Sequence, residues 1–391
     1  VTQAWPFQPV NGGVPYDNEK SIVTAADLNT MCEQVAVMAD GRIWTDVAIL
    51  KGGHRLDGSG LFDPTNHPGA LIRDPVSRRW LLFGSSLGAN NAGMLWTISG
   101  ARWFTVGAIG GSVTLGGTVA AAVNAAGVIL AGAAPNSATA QKLIESTNGG
   151  DTWTNRSIGA SNTESINAIA YSEALGLWLC SVGGTGGQGL FTSPDRIAWT
   201  NRWSAPANFL IVRDTPSPVL LASSLAFFPG NAASYLRSEN GVDWFVATFP
   251  ADPDLVSPNP EHVPFLNGIT GQGCWSAAHG LFFQTTTSGI WASPDGRASS
   301  WRKVYSHRHH FDDALGFVID EPATASIAAF GRMLVRGDGR HSVDGGWSWS
   351  SGPTFDVGDG QVDWRVAAAP CGVGLFRKAS REVFLSLQVG F

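Results

Sequence analysis

The chain has 391 residues, a net charge of −6 and only 14% charged side chains. No basic patch stands out, which argues against a nucleic-acid backbone as partner, and no run of apolar residues is long enough for a helical membrane span. The 44% hydrophobic content, 48 Gly and 16 Trp fit many short strands joined by tight turns rather than long helices.

In chain order, residues 1–31 read as an N-terminal arm. Trp5-Pro6-Phe7-Gln8-Pro9 and Asn11-Gly12-Gly13 suit an extended segment with turns and no core of its own. A basic stretch followed by an apolar run is missing here, so no secretory signal is expected. From residue 32 onward a single punctuation mark repeats: a Ser- or Thr-led turn with Asp, Asn or Ser third, usually Gly fourth, and a tryptophan shortly after. The copies are Met38-Ala39-Asp40-Gly41 to Trp44, Thr97-Ile98-Ser99-Gly100 to Trp103, Ser146-Thr147-Asn148-Gly149 to Trp153, and Ser193-Pro194-Asp195-Arg196 to Trp199. They continue with Ser238-Glu239-Asn240-Gly241 to Trp244, Ser293-Pro294-Asp295-Gly296 to Trp301, and Ser342-Val343-Asp344-Gly345 to Trp349. The first copy begins with Met instead. An Asx side chain bonds its own backbone two residues on, and Gly accepts positive φ, so each copy predicts a hairpin turn.

The closing tryptophans recur every 45 to 59 residues, a period that suits one four-stranded blade of a β-propeller. These stretches resemble Asp-boxes, the Ser-x-Asp-x-Gly-x-Thr-Trp turns of sialidase-like and related β-propellers, over residues 32–391. Arg196 stands where that pattern has Gly, and Ser99 where it has Asp. In that family such turns specify the fold and lie away from the site. The resemblance and the period together predict an all-β, seven-bladed propeller over 32–391.

Within it, Leu71-Ile72-Arg73 and Trp80 to Phe83 read as the first two strands of blade one. The matching pairs of the next four blades are 119–123 with 128–131, 168–171 with 177–182, 210–213 with 219–222, and 273–277 with 281–284. Blade six is expected to begin with Gly316 to Ile319 and Ser326 to Phe330. Gly374-Leu375-Phe376 and Glu382-Val383-Phe384-Leu385 resemble the first two strands of blade one with no third strand after them, while a hairpin around Asp40-Gly41 lacks its own first two. The last blade is therefore expected to join two C-terminal and two N-terminal strands, closing the ring without a free edge.

In such a ring the Asp-Gly turns share one face, and the long connections 46–69, 249–266, 303–314 and 353–363 leave from the other. Six of the eight histidines fall there: His54, His67, His262, His307, His309 and His310. With Asp312 and Asp313, and with Trp5 and Phe7 of the arm, they form the expected ligand- or partner-binding set, since aromatics beside Asp and His stack on sugars or anchor a protein. His307-Arg308-His309-His310-Phe311-Asp312-Asp313 has metal-type side chains without a metal-type spacing, so it reads as a partner-facing loop. Gly184-Thr185-Gly186-Gly187-Gln188-Gly189 matches a phosphate-loop pattern but lies between strands, where the helix N-terminus of that motif is missing. Cys32, Cys180, Cys274 and Cys371 stand singly and read as buried thiols. No cofactor and no catalytic residue is assigned.

A hydrolase of the sialidase type would need an arginine clamp and a Tyr/Glu pair. Ile72-Arg73-Asp74-Pro75 echoes one arginine element, yet it runs into a turn, and none of Tyr16, Tyr171, Tyr235 and Tyr305 is placed with a Glu. The expected function is non-catalytic: a binding or structural propeller that resembles receptor-binding and accessory propellers of phage tails and virions. Its arm would dock on other subunits, and a host-surface glycan or protein would be its receptor. Glycan hydrolysis by a carboxylate pair is the alternative.

Overall fold

The structure is a computed structural model. It describes residues 55–56, 60–63, 70–86, 92–97, 104–106, 115–135, 143–159, 165–183, 188–205, 207–223, 234–250, 252, 269, 271–307, 309–312, 316–319, 327–336, 340–349, 364–369, 372–377 and 382–387. The arm and the first expected turn, at Asp40-Gly41, lie outside them.

Antiparallel sheets of consecutive strands follow one another. The first holds Leu71–Arg73, Trp80–Ser86, Ala92–Thr97 and Phe104–Val106. Four four-stranded sheets come next. The second sheet holds Leu115–Val123, Ile129–Pro135, Leu143–Ser146 and Thr154–Arg156. The third holds Ser165–Ser172, Leu177–Gly183, Gly189–Ser193 and Thr200–Trp203. In the fourth are Phe209–Arg213, Val219–Ser223, Ser234–Ser238 and Phe245–Thr248. The fifth contains Cys274–Ser276, Leu281–Thr286, Gly289–Ser293 and Arg302–Ser306. The strand pairs expected for the first five blades are all present.

Burial explains the chemistry of each position. Second and third strands such as Val219–Ser223 and Gly289–Ser293 are buried at every residue, because both faces are covered by neighbouring sheets, and so they read as unbroken apolar or small runs. Outer strands such as Thr154–Arg156 and Phe245–Thr248 are largely exposed. The core lies between sheets: Leu81, Phe83 and Met94 of the first meet Ile129, Ala131 and Ile144 of the second, and Leu130 and Leu143 meet Ile166, Trp178 and Cys180. Third and fourth sheets share another cluster, as do fourth and fifth. Phe283 and Ile290 continue the series onto Ile327 and Leu334.

Beyond the fifth sheet the arrangement departs from the sequence reading. Gly316–Ile319 pairs with His309–Asp312 as a separate hairpin, and Ile327–Phe330 is followed by Met333–Arg336 and His341–Ser342 in a three-stranded sheet. The expected sixth-blade pair of 316–319 with 326–330 is thus replaced by 327–330 with 333–336, because the tight Gly331-Arg332 turn joins those strands directly. The last sheet holds three strands, Trp364–Ala369, Gly372–Arg377 and Glu382–Leu387, not two. Its additional member, Val366-Ala367-Ala368-Ala369, is a short run of mostly small residues with little pattern to announce a strand. The stretch 46–69, expected as a connection, contains a hairpin of Arg55–Leu56 with Gly60–Asp63, which joins Trp80–Ser86.

The first strands of the sheets lie side by side. Leu71–Arg73 neighbours Leu115–Val123, which neighbours Ser165–Ser172, and the series runs through Phe209–Arg213, Cys274–Ser276 and Ile327–Phe330 to Trp364–Ala369, which lies beside Leu71–Arg73.

Five of the seven Ser–Asx turns fall among the described residues, and they share one hydrogen-bond plan. Ser146 Oγ accepts from Gly150 N at 3.0 Å, Asn148 Oδ1 accepts from Thr152 N at 3.0 Å, and Trp153 Nε1 donates to Gly150 O at 2.9 Å. The Ser193, Ser238 and Ser342 turns repeat this, with Trp199, Trp244 and Trp349 donating to Arg196 O, Gly241 O and Gly346 O. In the Ser293 turn Trp301 Nε1 instead meets the hydroxyl of Tyr235 in the fourth sheet at 2.7 Å. Trp153 packs edge-on against Phe83, Trp301 against Tyr235, and Trp349 against Tyr305. Each of these indoles therefore staples its sheet to the one before it.

These turns and the first-to-second-strand turns occupy one face. Arg79 Nη1 reaches Gly149 O at 3.2 Å and Asp151 at 2.6 Å. Asp214 accepts from Ser172, Glu173 and Ala174, Arg213 and Arg237 donate to Pro294 O and Asp295 O, and His279 Nε2 donates to Arg332 O.

Candidate functional site

Of the expected binding set, Trp5, Phe7, His54, His67, His262 and Asp313 lie outside the described residues. His309, His310 and Asp312 are on the strand His309–Asp312, opposite Ile319, Val318 and Gly316. They are therefore on a paired strand, not in the long loop 303–314 that the spacing suggested. That segment reads as a loop because its His, Arg and Asp content masks a short strand.

His307 is buried, at 2% exposure. It follows the outer strand Arg302–Ser306 of the fifth sheet, where its backbone N donates to Ser288 O at 2.9 Å and its Nδ1 lies 3.2 Å from Thr287 O. The approach is close because Gly289 has no side chain: a Cβ there would stand 1.9 Å from Tyr305 O. Around this point Thr285, Thr286, Thr287 and Ser288 are all buried, with Thr286 Oγ1 donating to Gly289 O and Gln284 Nε2 to Gly271 O.

Tyr305, on the same strand, meets His307 edge-on at 5.8 Å. Arg340 Nη1 donates to the Tyr305 hydroxyl at 2.6 Å, and the fully buried Arg336 stands 5.3 Å over its ring. Tyr305, His307, Arg336, Arg340 and Trp349 thus bring aromatic and cationic groups together between the fifth sheet and its successor. Of this cluster only His307 was placed in the binding set from the sequence. Tyr305 and Arg336 carried no local signal, since their meeting depends on two sheets packing.

Three carboxylates among the described residues are engaged by the fold. Asp252 is buried and accepts from Lys303 Nζ at 2.8 and 3.0 Å. Asp74, next to Arg73, accepts from Val76 N and Ser77 N and closes the turn that follows. Glu145 Oε2 accepts from Arg156 Nε at 2.8 Å and Arg196 Nε at 2.9 Å. Burial acts to raise the Glu145 pKa, but the two arginines outweigh it and hold the carboxyl below its ordinary value. Tyr235 is pushed up to about 12 by burial, so its hydroxyl stays protonated and donates to Gly296 O. Burial also raises the Cys274 thiol, and Cys180 and Cys274 are both free thiols. Among the described residues no cluster of His, Cys, Asp and Glu could hold a metal ion, and no helix is long and apolar enough to cross a membrane. The glycine-rich stretch after Leu177–Gly183 leads into the strand Gly189–Ser193, so the helix of a phosphate loop does not follow it.

The turn face differs in character. Val76, Ile197, Val242, Phe245, Val246, Val343 and Trp347 are exposed large apolar residues, and all lie in its turns or at the start of an outer strand. The sequence reading placed binding on the opposite face.

No protein-family model matches the chain, and no curated protein does. Solved structures do. A streptogramin B lyase aligns with TM-score 0.52 and 10% identity over 85% of this chain and 96% of its own. A puromycin hydrolase aligns with TM-score 0.50 and 13% identity over 83% of this chain, which spans 55% of the hydrolase's length. A gluconolactonase from Xanthomonas campestris aligns with TM-score 0.44 and 13% identity, over 71% of this chain and 86% of its own. The likeness is distant and concerns the fold: all-β, with several four-stranded antiparallel sheets, as in β-propellers.

Proposed function

We propose that the chain is a non-catalytic binding or assembly propeller, a receptor-binding or accessory component of a phage tail or comparable virion, docked through residues 1–31. The observation that carries this reading is the set of exposed apolar side chains on the turn face, led by Trp347 at 70% and Ile197 at 68% exposure, because such groups suit macromolecular contacts. The propeller is taken to have seven blades, with first strands at 71, 115, 165, 209, 274, 327 and 364 and the Ser–Asx turns as Asp-boxes. The last blade would be completed from the N-terminal side, a reading supported by the adjacency of Trp364–Ala369 and Leu71–Arg73.

Truncation tests both parts. A chain lacking residues 1–31 is expected to keep its cooperative thermal transition and lose incorporation into the particle, whereas removal of residues 1–50 opens the ring and lowers the transition. Full incorporation without the arm would overturn the docking role. Release of reducing sugar from a polysaccharide by the full chain would replace the proposal with the hydrolase reading.

A further inference from the structure

Two Asn-Gly pairs among the described residues, Asn148-Gly149 and Asn240-Gly241, occupy the same place in the Ser–Asx turns; Asn11-Gly12 and Asn267-Gly268 lie outside those residues. Asn-Gly is especially open to attack by the glycine amide on the asparagine side chain, because glycine has no Cβ to block the approach. Both asparagines are exposed and both glycines buried, with φ 70° at each glycine. The two turns nevertheless hold the attacking amide differently. In the fourth-sheet turn Gly241 N donates to Ser238 Oγ at 2.9 Å, and Asn240 Nδ2 donates to the Asp243 carboxylate at 2.8 Å. In the second-sheet turn Ser146 Oγ takes the amide one residue further on, Gly150 N at 3.0 Å, which leaves Gly149 N outside the serine bond. Asn148 Oδ1 accepts from Ser146 Oγ at 2.9 Å and Thr152 N at 3.0 Å, donors that steady the oxyanion formed when the side-chain carbon is attacked. Asn240 Oδ1 has donors of its own in Val242 N and Asp243 N, so the difference lies in the nucleophile and in the Asp243 charge. Arg79 Nη1 donates to Gly149 O at 3.2 Å and sets a cation beside the amide that must lose its proton, while the Asp74 carboxylate facing Gly149 is tied to Ser77.

We propose that Asn148 is a site of spontaneous deamidation whose aspartyl product the turn accommodates, whereas the fourth-sheet turn holds Asn240 against the same reaction. The Gly149 amide gives its proton to solvent hydroxide and attacks Asn148 Cγ. The bond from Cγ to Nδ2 breaks, ammonia leaves with a proton from water, and a five-membered succinimide remains. Water then opens one of its two carbonyls to give an aspartyl or an isoaspartyl residue at that position. The aspartyl form has a precedent in the same fold. In the turn of the sixth sheet Asp344 Oδ1 accepts from Ser342 Oγ at 2.8 Å and Ser348 N at 3.0 Å, and Oδ2 accepts from Ser348 Oγ. Thr152 stands where Ser348 does, and its hydroxyl, which accepts from Asn148 Nδ2 at 2.8 Å, need only rotate to donate instead. At Asn240 the same change would set a new carboxylate against Asp243, where Nδ2 now donates. The inference stands apart from the proposed function, because it depends on the turns alone.

The test is to hold the folded full chain in mildly alkaline buffer and follow the one-dalton mass gain of deamidation in the peptides that carry Asn148 and Asn240. The gain at Asn148 is expected to be about fivefold faster, the factor by which one ordinary hydrogen bond would hold back the Gly241 amide. In a chemically denatured sample the two rates should converge, since both sites are then plain Asn-Gly. Asn148→Asp should leave the thermal transition unchanged, and Asn240→Asp should lower it by about 2 °C or more. Equal rates in the folded chain, a lead at Asn240 or no gain at Asn148 would overturn the proposal. So would a difference that persists in denaturant, which would assign it to flanking sequence, or an Asn148→Asp chain that melts as early as Asn240→Asp.

Discussion

The Ser193 and Ser238 turns have the same serine, the same Asx ladder and the same closing indole, yet they differ at the fourth residue. Gly241 has φ 70° and sits against the third sheet so tightly that a Cβ would lie 2.3 Å from Leu177 Cδ2. Arg196 has φ 67°, in a region that disfavours side chains, and sends its guanidinium across the sheet boundary to Glu145. The turn demands the backbone conformation; the neighbouring sheet decides whether a side chain fits. Where the gap is closed by leucine the residue is glycine, and where a buried carboxylate waits it is arginine.

The sharpest way to break this contrast is Gly241→Ala. A left-handed conformation costs about 1–2 kcal/mol for a residue with Cβ, and displacing Leu177 adds about 1 kcal/mol or more, so a loss of about 3 kcal/mol is expected in chemical denaturation. A loss below about 1 kcal/mol would show that the third sheet yields freely and that packing does not select glycine.

Glu145→Gln comes next, at about 2 kcal/mol, the scale of a hydrogen bond to a charged group, discounted because Arg156 and Arg196 are each 27% exposed. Its pH dependence carries a sign. The folded pKa of Glu145 lies below the ordinary 4.5, so its contribution is fully present above that value and is lost as pH falls through the folded pKa. The wild-type advantage over Glu145→Gln should hold from neutrality to about pH 5 and shrink in more acidic solution. An advantage that grows on acidification would refute the assignment.

What the sequence disclosed and what it hid divide along the same line. The Ser–Asx turns were legible because Ser146, Asn148 and Trp153 make local bonds, and local spacing determines local bonds. The first five strand pairs were legible because each is joined by a short turn. His309–Asp312 and Trp364–Ala369 were not, since an apolar or polar run does not say which neighbour it will pair with. The meeting of Tyr305 with Arg336 and of Arg196 with Glu145 depends on sheet-to-sheet docking, which leaves no spacing signature. The exposure of Trp347, two residues before the packed Trp349, likewise follows from the turn's orientation rather than from its residue types.

The smallest effect is also the most discriminating. Arg196→Gly removes the cost of positive φ, about 1 kcal/mol, and gives up one mostly buried ion pair worth about 0.5–1 kcal/mol, while Arg156 continues to hold Glu145. The two nearly cancel, so its stability should lie within about 1 kcal/mol of wild type. Arg196→Ala gives up the same ion pair and keeps the backbone cost, so it should be the less stable of the two by about 1 kcal/mol, although alanine ordinarily outperforms glycine. Glycine above alanine would show that position 196 retains the turn's backbone demand. Alanine above glycine would mean that the third-sheet turn relaxes out of its left-handed conformation once the arginine is gone, so that the Glu145 contact, not the Ser193–Asp195 ladder, holds Arg196 there.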